Sequence, residues 1–144
     1  MAIKGLALHS VRDFQSKHDP DKGREDATTF ELGTLDSRVH GHLKDRATRM
    51  MIDPNREVDS EVETTIEQHE VYYQVCQFGI RGWRNLMDSE GIPLEYKTMK
   101  RNLGGKSYEV VSDQSLRQIP TAVLVDIARE IMKQNDLTDL EGND

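Results

Sequence analysis

The sequence predicts an α+β fold, in the form of a small, mainly helical domain with a central long helix, one β-hairpin and a C-terminal amphipathic helix. Three observations support this prediction. Apolar residues recur at helical spacing from 62 to 80, alternate as in strands on both sides of Gly104-Gly105, and return to helical spacing from 123 to 132. The length of 144 residues suits one domain with one hydrophobic core.

The chain is predicted to divide into three parts. Residues 1–26 are polar and without a sustained period, which indicates an extended N-terminal arm. Apolar side chains in this arm, such as Phe14, can pack on a neighbouring chain, and the alternative is an arm without fixed structure in isolation. Residues 27–136 are predicted to form a single globular domain, and 137–144 an acidic C-terminal tail.

The first half of the globular domain is predicted to contain a short strand and two helices. Alternation from Thr28 to Leu32 is typical of a strand, and Gly33 ends it. Thr34 or Asp36 is the candidate N-cap of the first helix. The second helix carries one long apolar stripe and, in its C-terminal half, a second stripe beside it. It is therefore the predicted central element of the fold.

Glycines punctuate the chain after the central helix. Gly79 and Gly82 are predicted to stop or bend this helix, because glycine adopts left-handed backbone without a steric penalty. Residues 78–96 are then predicted to form a corner that holds the only tryptophan, Trp83, and a turn at 88–91.

The last part of the domain is predicted to contain the hairpin and the final helix. Alternating runs at 94–98 and 108–110 are expected to pair with each other as the two strands of the hairpin. Ser112-Asp113 offers a cap for a short helical turn. Pro120 suits the first position of the final helix, whose wide apolar face is expected to dock on the core.

No residue pattern in the chain meets the geometry of a catalytic, metal or cofactor site. His40 and His42 stand two apart, which places them on nearly opposite faces of a helix. The run 104–107 resembles the end of a phosphate-binding loop, but Lys100 stands where that loop requires glycine. Cys76, the single cysteine, lies in a helical apolar pattern and is expected to be buried. We predict that the protein is not an enzyme and has no cofactor or metal.

The formal net charge of −7 is distributed unevenly. Residues 81–106 carry six bases and three acids, whereas 27–80 carry five bases and ten acids. This basic island suits pairing with acidic segments of the same or another chain. Contact with nucleic acid is the less favoured interpretation, because typical nucleic-acid binders have larger basic surfaces. No apolar run approaches the roughly 18–20 residues of a membrane-spanning helix, so no contact with a membrane is predicted.

Trp83 has two interpretations. It lies between two arginines at a helix end, and tryptophan and arginine are enriched among the residues that dominate protein interfaces. The favoured alternative is that Trp83 closes the core of its own domain. The candidate partner-binding residues are Phe14, Arg81, Trp83, Arg84, Lys97, Lys100 and Arg101.

Four short motifs follow one another along residues 28–144. They are Thr-x-Phe-x-Leu-Gly-x-Leu-Asp (28–36), Gly-x-x-Gly-Trp (79–83), Asp-Ser-Glu-Gly-Ile-Pro (88–93) and a closing Ile-Pro pair (119–120) followed by the acidic tail. This layout resembles small proteins from the morphogenesis regions of tailed bacteriophages, including those likened to tail assembly chaperones.

The resemblance implies a non-enzymatic bacteriophage structural or assembly protein that acts through protein–protein contacts in the virion, in its head or its tail. Its partners would be other phage structural proteins and copies of itself, and it would occupy the host cytoplasm during assembly. One alternative is a transient tail assembly chaperone that is absent from the particle. Another is a small phage regulator that contacts nucleic acid through Lys97, Lys100 and Arg101. The N-terminal arm favours the virion component, because arms that become ordered on a neighbour suit repeated assemblies.

Overall fold

Strands and helices share the chain in the computed structural model, which describes residues 2–52 and 61–135. The four described helices are α1 (Ser37–Ile52), α2 (Glu61–Gly79), α3 (Asp113–Leu116) and α4 (Thr121–Gln134). The five described strands are β1 (Val11–Phe14), β2 (Thr29–Gly33), β3 (Ile80–Arg84), β4 (Thr98–Leu103) and β5 (Lys106–Val111). The fold is α+β, but the prediction of a mainly helical domain with one hairpin is wrong, because the strands form two sheets. The predicted acidic tail, 137–144, lies outside the described residues.

The first sheet has the order β1-β2-β3 and is antiparallel throughout. Its edge strand β1 lies within the predicted N-terminal arm, and β3 lies in the first part of the corner predicted for 78–96. In β3, Trp83 is opposite Phe30 and Ile80 is opposite Leu32, with a register shift that leaves Arg81 as an extra residue. Such a bulge interrupts the alternation by which a strand is recognised in a sequence.

The second sheet is the hairpin of β4 and β5. Gly104 and Gly105 form its two-residue turn with φ angles of 58° and 81°. Positive φ at both positions is what the tight turns of two-residue hairpins require, and glycine adopts it without strain. The first strand begins at Thr98, so the predicted strand residues Leu94 and Tyr96 precede it.

One hydrophobic core joins the helices to both sheets. Helix α2 packs on α4 and α1, and its C-terminal half is buried on several sides. The tight contact between α2 and α4 depends on Gly79, because a Cβ there would lie 2.5 Å from Cδ1 of Ile131. The most deeply buried large side chains of the core include Tyr72, Phe30, Leu32, Leu35, Leu43, Ile80, Leu116, Ile127, Ile131 and Met132.

The helix starts follow local capping chemistry. The carboxylate of Asp36 accepts a hydrogen bond from the backbone N–H of Val39 at 2.9 Å, which selects Asp36 over Thr34 as the cap of α1. Ser112 caps α3 by accepting a hydrogen bond from the backbone N–H of Ser115. Pro120 directly precedes α4 in the N-cap position.

Candidate interaction surface

Trp83 packs within its own chain. Its indole N–H donates to the carbonyl oxygen of Leu94 at 2.8 Å, and its ring meets the rings of Phe30 and Tyr96 edge to face at centroid distances of 6.3 and 5.0 Å. Edge-to-face contact is a favourable arrangement of aromatic rings. The side chain remains half-buried, so one part of it still reaches the surface.

The chain after Trp83 forms a rigid corner. Asn85 adopts a left-handed backbone with φ of 59°, and its side chain donates to the carbonyl oxygen of Ala27. The carboxylate of Asp88 then accepts hydrogen bonds from the backbone N–H groups of Glu90 and Ile92, both at 2.9 Å. These bonds hold the segment from 86 to 94 in a compact loop whose tip faces solvent.

The two arginines beside Trp83 are occupied by acceptors of the same chain. The guanidinium of Arg84 contacts the carboxylates of Asp13 at 2.9 Å and Glu31 at 3.1 Å across the outer face of the first sheet. The hydrogen bond to Asp13 raises the pKa of Arg84. Arg81 lies over Gly33 and donates to the carbonyl oxygen of Thr34 at 2.8 Å. Both side chains therefore stabilise the sheet on which they lie.

The basic residues of the hairpin region differ in their exposure. Lys97 and Lys100 are exposed, and the Lys97 ammonium lies 4.0 Å from the carboxylate of Glu95. Arg101 points inward and donates a hydrogen bond to the side-chain oxygen of Gln77, a fully buried residue of α2. The basic island thus presents fewer accessible charges than its sequence indicates.

A polar network surrounds Gln77. Its amide N–H group donates to the carbonyl oxygen of Val111 and to the carboxylate of Asp113, each at 3.1 Å. The hydroxyl of Tyr73 donates to the same carboxylate at 2.5 Å. Burial, followed by this bond, raises the pKa of Tyr73 to about 12, and the bond lowers the pKa of Asp113. The network joins α2 to β5 and α3, so it serves the fold.

Phe14 also packs against the core of its own chain, where it is opposite Phe30 in the sheet. The apolar residues before β1 behave differently. Ile3 is 100% exposed and Leu6 is 56% exposed, in a stretch without helix or strand. The carbonyl oxygen of Leu8 accepts a hydrogen bond from Arg81, which fixes the point where this stretch leaves the body. We call residues 2–10 the N-terminal segment.

A groove of about 510 Å³ opens beside Thr28 and Asn85, at the end of the first sheet opposite to the N-terminal segment. Its volume lies within the range of ordinary ligand pockets. Apolar side chains and three carboxylates line it together. The apolar lining includes Phe30, Leu86, Met87 and Val123, and the carboxylates are those of Asp19, Asp21 and Asp26. We call this the acidic groove.

The sequence motifs did not reveal this groove, because its lining comes from three separate stretches of the chain. The residues after Trp83 supply one wall, the start of α4 supplies another, and the 16–30 stretch supplies the rest. The signal in the sequence is Met87, a large apolar residue directly before the predicted turn at 88–91. In the structure the Met87 side chain is 49% exposed. Exposed apolar residues near a concave surface are typical of binding sites.

The residues with potential for chemistry lie apart from one another. Cys76 is fully buried, its thiol donates to the carbonyl oxygen of Leu124, and burial raises its pKa. His40 contacts the carbonyl oxygen of Asn135, whereas His42 is exposed. In the part of the chain that the structure describes, no three His, Cys, Asp or Glu side chains are placed to hold a metal ion.

The described helices include none that is long and apolar enough to cross a membrane. Comparison with known proteins adds no relative. No protein-family model, no curated protein and no solved structure matches the chain.

Proposed function

We propose that this chain is a non-enzymatic bacteriophage structural protein that acts through protein–protein contacts in the virion. The observation that carries the proposal is the exposed N-terminal segment, in which Ile3 and Leu6 lie in solvent next to a well-packed sheet. Apolar surface of this kind is favoured when a partner covers it. The motif layout of residues 28–144 supports the phage assignment.

The way in which the body is built agrees with a role as a scaffold for contacts. The buried side chain of Gln77 and the partly buried carboxylate of Asp113 are used in hydrogen bonds between helices and strands. The acidic groove combines apolar lining residues with three carboxylates. Such a surface suits the binding of an apolar, basic segment of polypeptide.

The nucleic-acid alternative receives less support from the placement of the basic residues. Arg81, Arg84 and Arg101 donate to acceptors of their own chain, and Lys106 lies 3.8 Å from the carboxylate of Asp36. Phosphate binding needs accessible cations in a patch or stripe. Replacing Lys97 and Lys100 by Glu is therefore expected to leave retention on immobilised DNA or RNA at low salt unchanged.

Quantitative mass spectrometry of purified particles tests the proposed role. A virion component should yield peptides at many copies per particle, in a constant ratio to the major structural proteins. Particles washed at high salt serve as the control for loosely attached protein. Absence of the chain from washed particles, with abundant chain in the lysate, would reject the structural role and favour the transient assembly chaperone.

A further inference from the structure

We infer that the acidic groove of one copy binds the N-terminal segment of a second copy. This inference rests on the proposed function, because it names the partner through which copies of the chain contact one another. The segment offers Ile3, Leu6 and Leu8 as exposed apolar residues. The groove offers an apolar lining that is open to solvent at Met87. Joining the two surfaces removes apolar area of both from water.

The charges of the two surfaces are complementary. The N-terminal segment contains one lysine, Lys4, and no acidic residue. The groove is lined by three aspartates and by His18 but by no lysine or arginine, and the carboxylate of Asp21 lies 3.6 Å from the guanidinium of Arg24 outside the lining. Opposite charges on the two surfaces favour encounter and help to fix the direction of an extended chain in a groove. The acidic stretch 137–144 would meet charge of its own sign there, so it is the weaker candidate occupant.

The two surfaces lie at opposite ends of the first sheet. The N-terminal segment leaves the body at Leu8, beside Thr34 and Arg81, whereas the groove lies beside Thr28 and Asn85. To enter its own groove, the segment would have to reverse direction and run back along the sheet. A segment of about seven extended residues reaches about 25 Å, which is enough to bridge to an adjacent copy. Because the contact joins two different surfaces, it can repeat from copy to copy.

Two substitutions separate the partners of this contact. Leu6→Asp places a charge in the segment, and Met87→Asp places a charge on the groove wall. Both residues are about half exposed, at 56% and 49%, so neither change disturbs the core. Ile92→Asp is the matched control, because Ile92 is 55% exposed in the same loop as Met87 but does not line the groove.

Sedimentation velocity of the full chain over a range of concentrations measures the contact. We expect Leu6→Asp and Met87→Asp each to weaken self-association about tenfold or more, since each removes the burial of a large apolar side chain. The Ile92→Asp control should associate as the wild type does. In an equimolar mixture, the Leu6→Asp copy keeps its groove and the Met87→Asp copy keeps its segment. This mixture should therefore form dimers at concentrations where neither variant associates appreciably alone.

Several outcomes would overturn the inference. A wild-type chain that stays monomeric at all concentrations, variants that associate as the wild type does, or a mixture that stays monomeric would each exclude the contact between copies. Binding of the segment in its own groove would give the monomeric result. The proposed function is tested separately, because abundant chain in washed particles together with a failed mixing experiment would remove the segment contact and retain the structural role.

Discussion

Substitution of Trp83 distinguishes a core role from an interface role in one pair of variants. Trp83→Ala removes two edge-to-face ring contacts and the hydrogen bond from the indole N–H to Leu94. Trp83→Phe keeps a ring that can still meet Phe30 and Tyr96 but loses the hydrogen bond. The difference between the two variants therefore reports the contribution of the retained phenyl ring.

The expected magnitudes follow from these contacts. Loss of a buried tryptophan side chain costs about 3–5 kcal/mol of unfolding free energy, and the half-buried position of Trp83 reduces this to about 2–4 kcal/mol. Loss of the hydrogen bond in the phenylalanine variant should cost about 1 kcal/mol. A domain of ordinary stability, about 5–15 kcal/mol, remains folded in both cases.

Urea unfolding followed by far-ultraviolet circular dichroism measures these differences without depending on tryptophan fluorescence. The experiment is carried out at a concentration where the wild type is monomeric, so that association does not contribute. If Trp83→Ala unfolds within about 0.5 kcal/mol of the wild type while self-association is lost, the reasoning is refuted and Trp83 is an interface residue.

The remaining predictions concern packing, pH and thiol access. Gly79→Ala should destabilise the fold by about 1–3 kcal/mol in chemical denaturation, because the added Cβ would meet Ile131. The control is Gly41→Ala in α1, where the added Cβ meets nothing within 4 Å and should stabilise the fold by up to about 1 kcal/mol. Equal effects of the two substitutions would contradict the packing of α2 on α4. Because the hydrogen bond from Tyr73 lowers the pKa of Asp113, ionised Asp113 stabilises the fold above about pH 4, and this contribution is lost as the pH falls through its folded-state pKa. The stability difference between the wild type and Asp113→Asn should shrink between pH 7 and pH 3, and a constant difference would show that the carboxylate has no such role. Cys76 should react with a thiol reagent in urea and remain unmodified in the native protein, and rapid native labelling would place it at the surface.

The helices were accessible to sequence reasoning because their periods are local. The stripe that ends near 80 corresponds to α2, which ends at Gly79, and the stripe after Pro120 corresponds to α4. The strand before Gly33 is predicted for the same reason, since Phe30, Glu31 and Leu32 alternate locally in the sequence. Elements whose pattern is self-contained are therefore the predictable part of this fold.

The missed strands depend on pairing between distant parts of the chain. Strand β1 has four residues, two of them charged, and it exists because it pairs with β2 across a long intervening loop. Strand β3 follows a helix without a break and contains Gly82 and the bulged Arg81. The corner predicted for 78–96 is not a corner in its first part, because the backbone around Trp83 is extended and paired with Phe30 and its neighbours.

The candidate site shows the same division. Trp83 and the charged residues near it could be listed from the sequence, but their acceptors lie far away in the chain and were not predictable. Arg84 contacts Asp13, and Arg101 contacts Gln77, so both cations bind acceptors of their own chain. The acidic groove was missed because no single stretch of sequence contains enough of its lining.

The most direct test of the contact between copies is a disulfide across it. One chain carries Leu6→Cys and a second, distinguishable by a mass label, carries Met87→Cys, while the native Cys76 stays buried. Mild oxidation of the mixture should give a cross-linked product of one copy of each chain, and Leu6→Cys mixed with Ile92→Cys should give far less. Equal yields from the two mixtures, or no mixed product from the first, would contradict the account.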